Sequence, residues 1–515
     1  MKEKTTRRTL LKALVGIHVL GVFALELINK YNYDREKKNR IIKELGLEDI
    51  KVPEIIKSPS GGAKGDLVRV GMIGFGSRAS ALANALGFMH PDHAAERMKD
   101  GSINDWLAQE DLNVAITGIC DVFDQHAEFG LVTARNTVRP GGAAPTSLPV
   151  KRYRTYLEML EDKDIDAVMI AAPDHHHAPM ATAAAQAGKH IYCEKAPVHL
   201  EGEILPLYET VRNSKIIYQL GHQTTQSGIF QQARDIIKKD IIGKITLVET
   251  STNRNTADGA WIRHLDSNGN PKPGDELSID WEQFLGNAPR VPFSIERYYS
   301  WTKFFDYNIG LIGQLFSHEY DSVNQLLHIG IPKAVVSSGG IYYWKDNRDM
   351  ADTLQCVFEY PDRDLTLLYS ACLANSQTRG RAFMGHDGTM VLGESISITA
   401  DADSTRYKEQ IESGLIDPST PMVSFNPNSG SIDAVSSATE KYYASRGLTT
   451  TNINGVNVDT TYLHVREWID CIRSGKTPTV NIERAFEEAV TIIMAHKSYV
   501  EKRRVEWDPV KRMII

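Results

Sequence analysis

The sequence predicts an α/β fold in two parts, a doubly wound parallel-sheet domain followed by an α+β domain. Three observations carry that reading. An apolar strand, a glycine-rich turn and a helix follow one another around Gly74; strands and helices then alternate to about Gly221; strand-like runs without that alternation fill much of the remainder. A chain of 515 residues admits two or three domains.

The folded body is expected from about Asp66. Val68 to Ile73 reads as a strand, Gly74-Phe75-Gly76-Ser77-Arg78-Ala79 as its turn, and the Ala/Leu-rich run to Leu86 as a helix. This is GxGxxG with alanine in the third place. The first glycine permits the tight turn, the second lets a pyrophosphate approach the backbone, and the small third residue lets helix and strand pack. Free N–H groups at the helix N-terminus suit phosphate. Such a fingerprint expects an acidic residue about 20 residues on, after the second strand, to bind the adenosine ribose. "NVAITGICD" supplies Asp121 farther along, so "FMHPDHAAERMKDGSINDWLAQEDLN" is read as an insertion between first helix and second strand. Val122-Phe123 follow Asp121 with no arginine beside it, which favours NAD over NADP.

The alternation continues with a helix from Arg154 to Asp162, a strand from Ala167 to Ala172, a turn, a helix ending at Gly188 and a strand from His190 to Cys193. A further helix and the strand "KIIYQLG" complete a Rossmann domain over 66–221, with right-handed crossovers. In 222–515, "KITLVETSTNR", "KAVVSSGGIYYW", "TLQCVFEY" and "LTLLYSACLA" read as strands and "YLHVREWIDCIRSGKTPTVNIERAFEEAVTIIMAHKSYV" as two helices. The polar, poorly periodic stretch 401–443 is expected as a surface excursion.

The segment "EKAP" at Glu194 to Pro197, following "AAPDHHHAPMATAAAQAGKHIY", resembles the signature of the glucose-fructose oxidoreductase/inositol dehydrogenase/MocA family. "VGMIGFGSR", "GHQTTQSGIFQQARDII", "IGKI", "DWEQFLGNAPRVPF" and "RRVEWDP" extend the resemblance over nearly everything from Asp66 onward. It implies an NAD(P)-dependent oxidoreductase acting on a carbohydrate or polyol, held between the nicotinamide and a large, mostly antiparallel sheet, in a homo-oligomer. It also implies that Pro173 to His177, Glu194 and Lys195 lie by the cofactor, that Lys195 positions the reacting hydroxyl, and that His318 is the acid/base.

The residue types agree with those roles. Lys195 follows a strand at the carboxyl end of the sheet, where ligands bind in open α/β folds, and neutral imidazole accepts a proton from an alcohol near pH 7. A histidine flanked by Leu315, Phe316 and Tyr320 equally suits a packed core position. Relatives that oxidise sugars and polyols often carry an aspartate where this chain has Gln314; Asp321, one turn after His318, is placed to compensate. His222, Trp261, Arg263, His264, Tyr299 and Trp301 lie in segments able to line a sugar site. His175-His176-His177, read as part of a turn, point in different directions and lack an i,i+4 ligand, so no metal is expected.

Net charge is −7, with 42% hydrophobic and 24% charged residues and no long basic block beyond the N-terminus, which excludes a nucleic-acid partner on composition. Five scattered cysteines without CxxC spacing read as buried thiols. Thr6-Arg7-Arg8-Thr9-Leu10-Leu11-Lys12 and the apolar run to Leu25 read as a twin-arginine signal or anchor over 1–30, with a linker over 31–65. They imply a partner in the twin-arginine machinery, a periplasmic location and a cofactor loaded before export. Two further functions compete: an NAD-dependent glycoside hydrolase, with Tyr299 or Tyr320 as carbon-proton base, and a non-catalytic ligand-binding protein, which Gln314 would suit.

Overall fold

The computed structural model describes residues 36–48, 65–143, 148–257, 274–377, 379–393, 395–426, 431–433, 450–453 and 456–515. The expected signal over 1–30 and Trp261, Arg263 and His264 lie outside them. Among the described residues no helix is long and apolar enough to cross a membrane.

Six strands, β1 (Val68–Ile73), β2 (Val114–Cys120), β3 (Lys151–Tyr153), β4 (Ala167–Ile170), β5 (His190–Cys193) and β6 (Tyr218–Leu220), form a parallel sheet in the order β3-β2-β1-β4-β5-β6. Every residue of β2 and β4 is buried, as continuous apolar strands covered on both faces require. The order reverses between β1 and β4, which opens a crevice at their carboxyl ends. Around the sheet lie α1 (Ser77–Ala85), α2 (Pro91–Lys99), α3 (Asn104–Leu107), α4 (Asp124–Ala134), α5 (Tyr156–Glu161), α6 (Asp174–Gln186) and α7 (Ile204–Arg212). The expected insertion is α2 and α3, with its own small core of Met89, Ala94, Ile103 and Trp106.

The second sheet has eleven strands. After α8 (Gly228–Lys238) come β7 (Ile245–Asn253), the short helices α9 (Trp281–Leu285) and α10 (Ile295–Tyr299), and α11 (Ser317–Leu327). Next are β8 (Ala334–Gly340), β9 (Thr353–Tyr360), β10 (Leu365–Cys372), β11 (Arg381–Gly385), β12 (Gly388–Leu392), β13 (Ile396–Ala400), β14 (Val423–Asn426) and β15 (Ser431–Asp433). A separate hairpin, β16 (Thr450–Ile453) and β17 (Val456–Asp459), leads into α12 (Thr460–Ser474) and α13 (Ile482–Glu501), and β18 (Val505–Asp508) and β19 (Met513–Ile514) end the chain. The order is β15-β14-β13-β12-β11-β7-β10-β9-β8-β18-β19, antiparallel except for β7 with β10.

Three expectations are corrected. The stretch 401–443 is no simple surface excursion: Met422, Val423 and Phe425 are buried, β14 pairs with β13, and the buried Tyr407 hydroxyl donates to Ile241 O at 2.6 Å. An alternation only four residues long hides this strand in a polar sequence. The expected linker holds a helix over 36–44, with Ile41 buried in the main core and Lys37 Nζ donating to Gly414 O at 3.1 Å. Cys372 is only partly buried, unlike the other four thiols.

One face of the parallel sheet is closed from the far end of the chain. Tyr462, Val465, Trp468 and Ile469 of α12 share a core with Val70, Met72, Ala79 and Tyr192, and the Tyr192 and Trp468 rings meet edge to face at 5.9 Å. Replacing a fully buried Trp costs about 3–5 kcal/mol. Trp468→Ala is therefore expected to lower the urea midpoint of the N-terminal domain as well as that of its own helix, followed by tyrosine and tryptophan fluorescence.

Candidate active site

The glycine turn forms the first part of the site. Gly74 has φ of +80°, and a Cβ there would lie 2.7 Å from Ala171 O, so both conformation and space call for glycine. Gly76 caps α1 with no side-chain hydrogen bond, and nothing lies within 4 Å of where its Cβ would stand. No side chain caps the first amides of α1, and such amides at a helix N-terminus are the groups that receive a pyrophosphate. Asp121 Oδ2 accepts from Phe75 N at 2.5 Å and Oδ1 from Phe123 N at 2.8 Å. These bonds fix the carboxylate beside the turn, where ribose hydroxyls would reach its remaining lone pairs. Ser77 opens α1, and Arg78 Nε pairs with Glu194 Oε1 at 2.5 Å while its Nη2 donates to Gln223 Oε1 at 3.2 Å. This pair locks the fingerprint helix to the end of β5. The residues present fit a dinucleotide.

A segment from the second half of the chain crosses the same edge. Phe123 bridges to Ile279, Asp280 N donates to Val122 O at 2.8 Å, and His175 N donates to Tyr307 O at 3.1 Å. Tyr299 and Trp301 lie in its aromatic cluster with Phe123, Phe284 and Tyr307. They are packed on the side of Phe123, next to Asp121.

The three histidines open α6 and do not form a loop. Pro173 is the N-cap; Pro179 inside the helix and the polar run obscure the start in the sequence. His175 and His176 each direct Nε2 to Phe284 O at 2.8 Å, and His177 bridges Ala196 O at 2.7 Å and Ala172 O at 2.8 Å. Burial lowers His176 to about 4 and His175 well below its ordinary value, so both rings are neutral donors. Among the described residues no group of three His, Cys, Asp or Glu is arranged to hold a metal ion.

Lys195 and His318 converge at the seam between the two sheets. A π-helical turn, Ile312–Phe316, leads into α11 and carries Gln314; such turns recur at functional sites. Lys195 Nζ donates to Gln314 O at 3.2 Å, while Gln314 Nε2 donates to Asp174 Oδ2 at 2.6 Å. Burial raises the Asp174 pKa, and Lys195 opposes that rise. A carboxylate therefore reaches this corner from α6, a source that the sequence did not reveal. His318 Nδ1 lies 3.3 Å from His222 Nδ1, and His222 Nε2 lies 2.7 Å from Glu488 Oε2 of α13. His222 is thus a direct neighbour of His318.

Asp321 is engaged by Gln325 Nε2 at 2.5 Å and by Arg484 at 3.3 Å, so its charge is spent toward α13. Tyr320 donates to Gly330 O at 2.8 Å. Asp174 and Glu488 are the residues that sequence reasoning missed, and no local pattern marks either.

These features define a Rossmann-like parallel-sheet domain with a glycine-rich turn that fits a dinucleotide, and a second domain built on a large mixed sheet. Residues 68–222 match the GFO_IDH_MocA family, described as an oxidoreductase family with an NAD-binding Rossmann fold. Levoglucosan dehydrogenase of Pseudarthrobacter phenanthrenivorans is 29% identical over 182 residues, 35% of this chain and 40% of that protein. Inositol 2-dehydrogenase of Salmonella typhimurium is 26% identical over 143 residues, 28% of this chain and 39% of that protein. The chain thus spans about two fifths of the length of these curated relatives. In overall fold it is similar to levoglucosan dehydrogenase in complex with NADH and levoglucosan, with TM-score 0.55, 16% identity and coverage of 86% of this chain and 99% of that one. It is also similar to the WlbA dehydrogenase of Bordetella pertussis, with TM-score 0.52, 13% identity and coverage of 86% and 99%.

Removing the ribose-side carboxylate tests the cradle. Asp121→Ala is expected to weaken NADH binding at least about tenfold, the loss of roughly 1.4 kcal/mol from charge-assisted hydrogen bonds, measured by fluorescence titration.

Proposed function

We propose that the protein is an NAD-dependent oxidoreductase that exchanges a hydride with a hydroxyl-bearing carbon of a carbohydrate or polyol. The observation that carries this is the meeting of Lys195, Gln314 and His318 at the carboxyl end of the sheet that bears the glycine cradle. The dehydrogenases named above act on levoglucosan and inositol by their names, which supports the substrate class.

Bound in the cradle, NAD+ supplies a hydride acceptor. Lys195, held on the Gln314 carbonyl, orients the substrate hydroxyl and steadies negative charge on its oxygen. His318 takes the proton: burial keeps its ring neutral, and the Lys195 charge adds to that effect. On the family resemblance Pro173, Glu194 and His177 would lie on the nicotinamide side, and His177 ties the end of β4 to the Lys195 loop. The glycoside hydrolase reading loses support, because Tyr320 is committed to Gly330 and Tyr299 to the aromatic cluster.

Export belongs to the same proposal. The Arg7-Arg8 sequence supports passage by the twin-arginine route in a folded state, into the periplasm, with the dinucleotide already in place and retained. Assembly as a homo-oligomer is proposed with it, on the family resemblance.

The test is mass spectrometry of nucleotide released from the purified protein, followed by a screen of levoglucosan, inositols and aldoses for NADH absorbance. NAD(H) near one per chain and a responding sugar are expected; an empty protein that fails to bind NADH defeats the proposal. Lys195→Met and His318→Ala are each expected to lower kcat by about 10²–10⁴, the usual worth of a positioned proton-transfer group, with NADH binding retained.

A further inference from the structure

We propose that His222 and Glu488 form a buried relay that draws the substrate proton away from His318 and selects which His318 nitrogen serves as base. The proposal rests on the dehydrogenase reading of Lys195 and His318.

The geometry fixes the chemistry. Rings of His222 and His318 meet edge to face at 5.1 Å, with their Nδ1 atoms 3.3 Å apart. One Nδ1 must carry a hydrogen and the other a lone pair. Neutral His222 with its Nε2 hydrogen on Glu488 presents the Nδ1 lone pair, so His318 carries hydrogen on Nδ1 and its lone pair on Nε2. When the substrate hydroxyl bond breaks, its proton adds to His318 Nε2, and the Nδ1 hydrogen of His318 passes to His222 Nδ1. The carbon-bound hydrogen leaves with its electron pair to the nicotinamide, so the alcohol becomes a carbonyl. His318 is neutral before and after, with its tautomer exchanged, and the positive charge rests on His222 beside Glu488.

The surrounding charges favour that location. Cations face His318: Lys195 from the β5 loop, Arg78 from α1 and Arg381 from β11. His222 faces the carboxylates of Glu488 on α13 and Asp321 on α11, together with Lys195, while His464 of α12 lies near it. Burial and those cations push His318 well down. Burial also opposes charge on His222, but Glu488 and Asp321 outweigh it and raise the pKa. A proton delivered to this pair of rings therefore settles on the inner one.

The sign of the pH effect follows. The relay accepts a proton only while His222 is neutral, so turnover falls as pH drops through the raised His222 pKa. Glu488→Gln removes the main partner, and the acid limb is expected to move to lower pH by about one unit, while kcat drops roughly 100-fold with little change in KM. Glu488→Asp is expected to recover part of kcat. The decisive readout needs no substrate: 15N imidazole spectra of histidine-labelled full-length protein, assigned with His222→Gln and His318→Gln. In the wild type His318 should stay neutral from pH 5 to 9 and exchange tautomer as His222 titrates, and Glu488→Gln should lower the His222 midpoint. A His318 that itself becomes imidazolium in that range, or a His222 midpoint unmoved in Glu488→Gln, overturns the relay. A wild type that shows the tautomer exchange yet forms no NADH with any sugar defeats the dehydrogenase reading and leaves the relay standing.

Discussion

The seam between the two sheets buries Lys195, Asp174, His222 and Glu488 together, and a charge taken from water without a partner costs several kcal/mol. The arrangement of the site follows from meeting that cost. Gln314 is pivotal because it offers both kinds of group, with a backbone carbonyl for the Lys195 ammonium and an amide N–H for the Asp174 carboxylate. A carboxylate at 314 would instead bring a second negative charge into the buried corner that Asp174 already occupies. The amide is therefore the matching partner for a carboxylate that arrives from α6.

The same constraint explains which elements must be rigid. His222 leaves the end of β6, His318 rides on α11 behind the π-helical turn, and Glu488 stands in the middle of α13. Three separate parts of the chain thus hold one line of hydrogen bonds. Arg78 with Glu194 does the same for the cofactor side, since it ties the fingerprint helix to the residue just before Lys195. Dinucleotide cradle and reacting groups are consequently coupled through neighbouring positions of one loop.

Local features were legible in the sequence where local forces set them. β1 and β5 lie where the apolar runs place them, and the glycine spacing located the cradle because the positive φ at Gly74 and its close approach to Ala171 O leave no room for another residue there. The start of α6 was not legible, because histidines and Pro179 mask its helical pattern. β14 was too short to show alternation. Asp174 with Gln314 and His222 with Glu488 are pairs far apart in the chain, and each member alone resembles an ordinary polar residue on a helix or loop. Only the packing of α6, α11 and α13 makes them neighbours.

The position of α12 has a consequence for biogenesis. Val70, Met72 and Tyr192 find their cover in Trp468 and its neighbours, so a nascent chain carries an unroofed apolar sheet face until residues 460–474 have left the ribosome. Domains ordinarily fold in the order of their synthesis. Here the first domain cannot finish before the last helices arrive, and maturation of the nucleotide pocket becomes a post-translational event. Such a chain has its longest vulnerable interval in the compartment where it is made, where chaperones can shield that face and nucleotide is abundant.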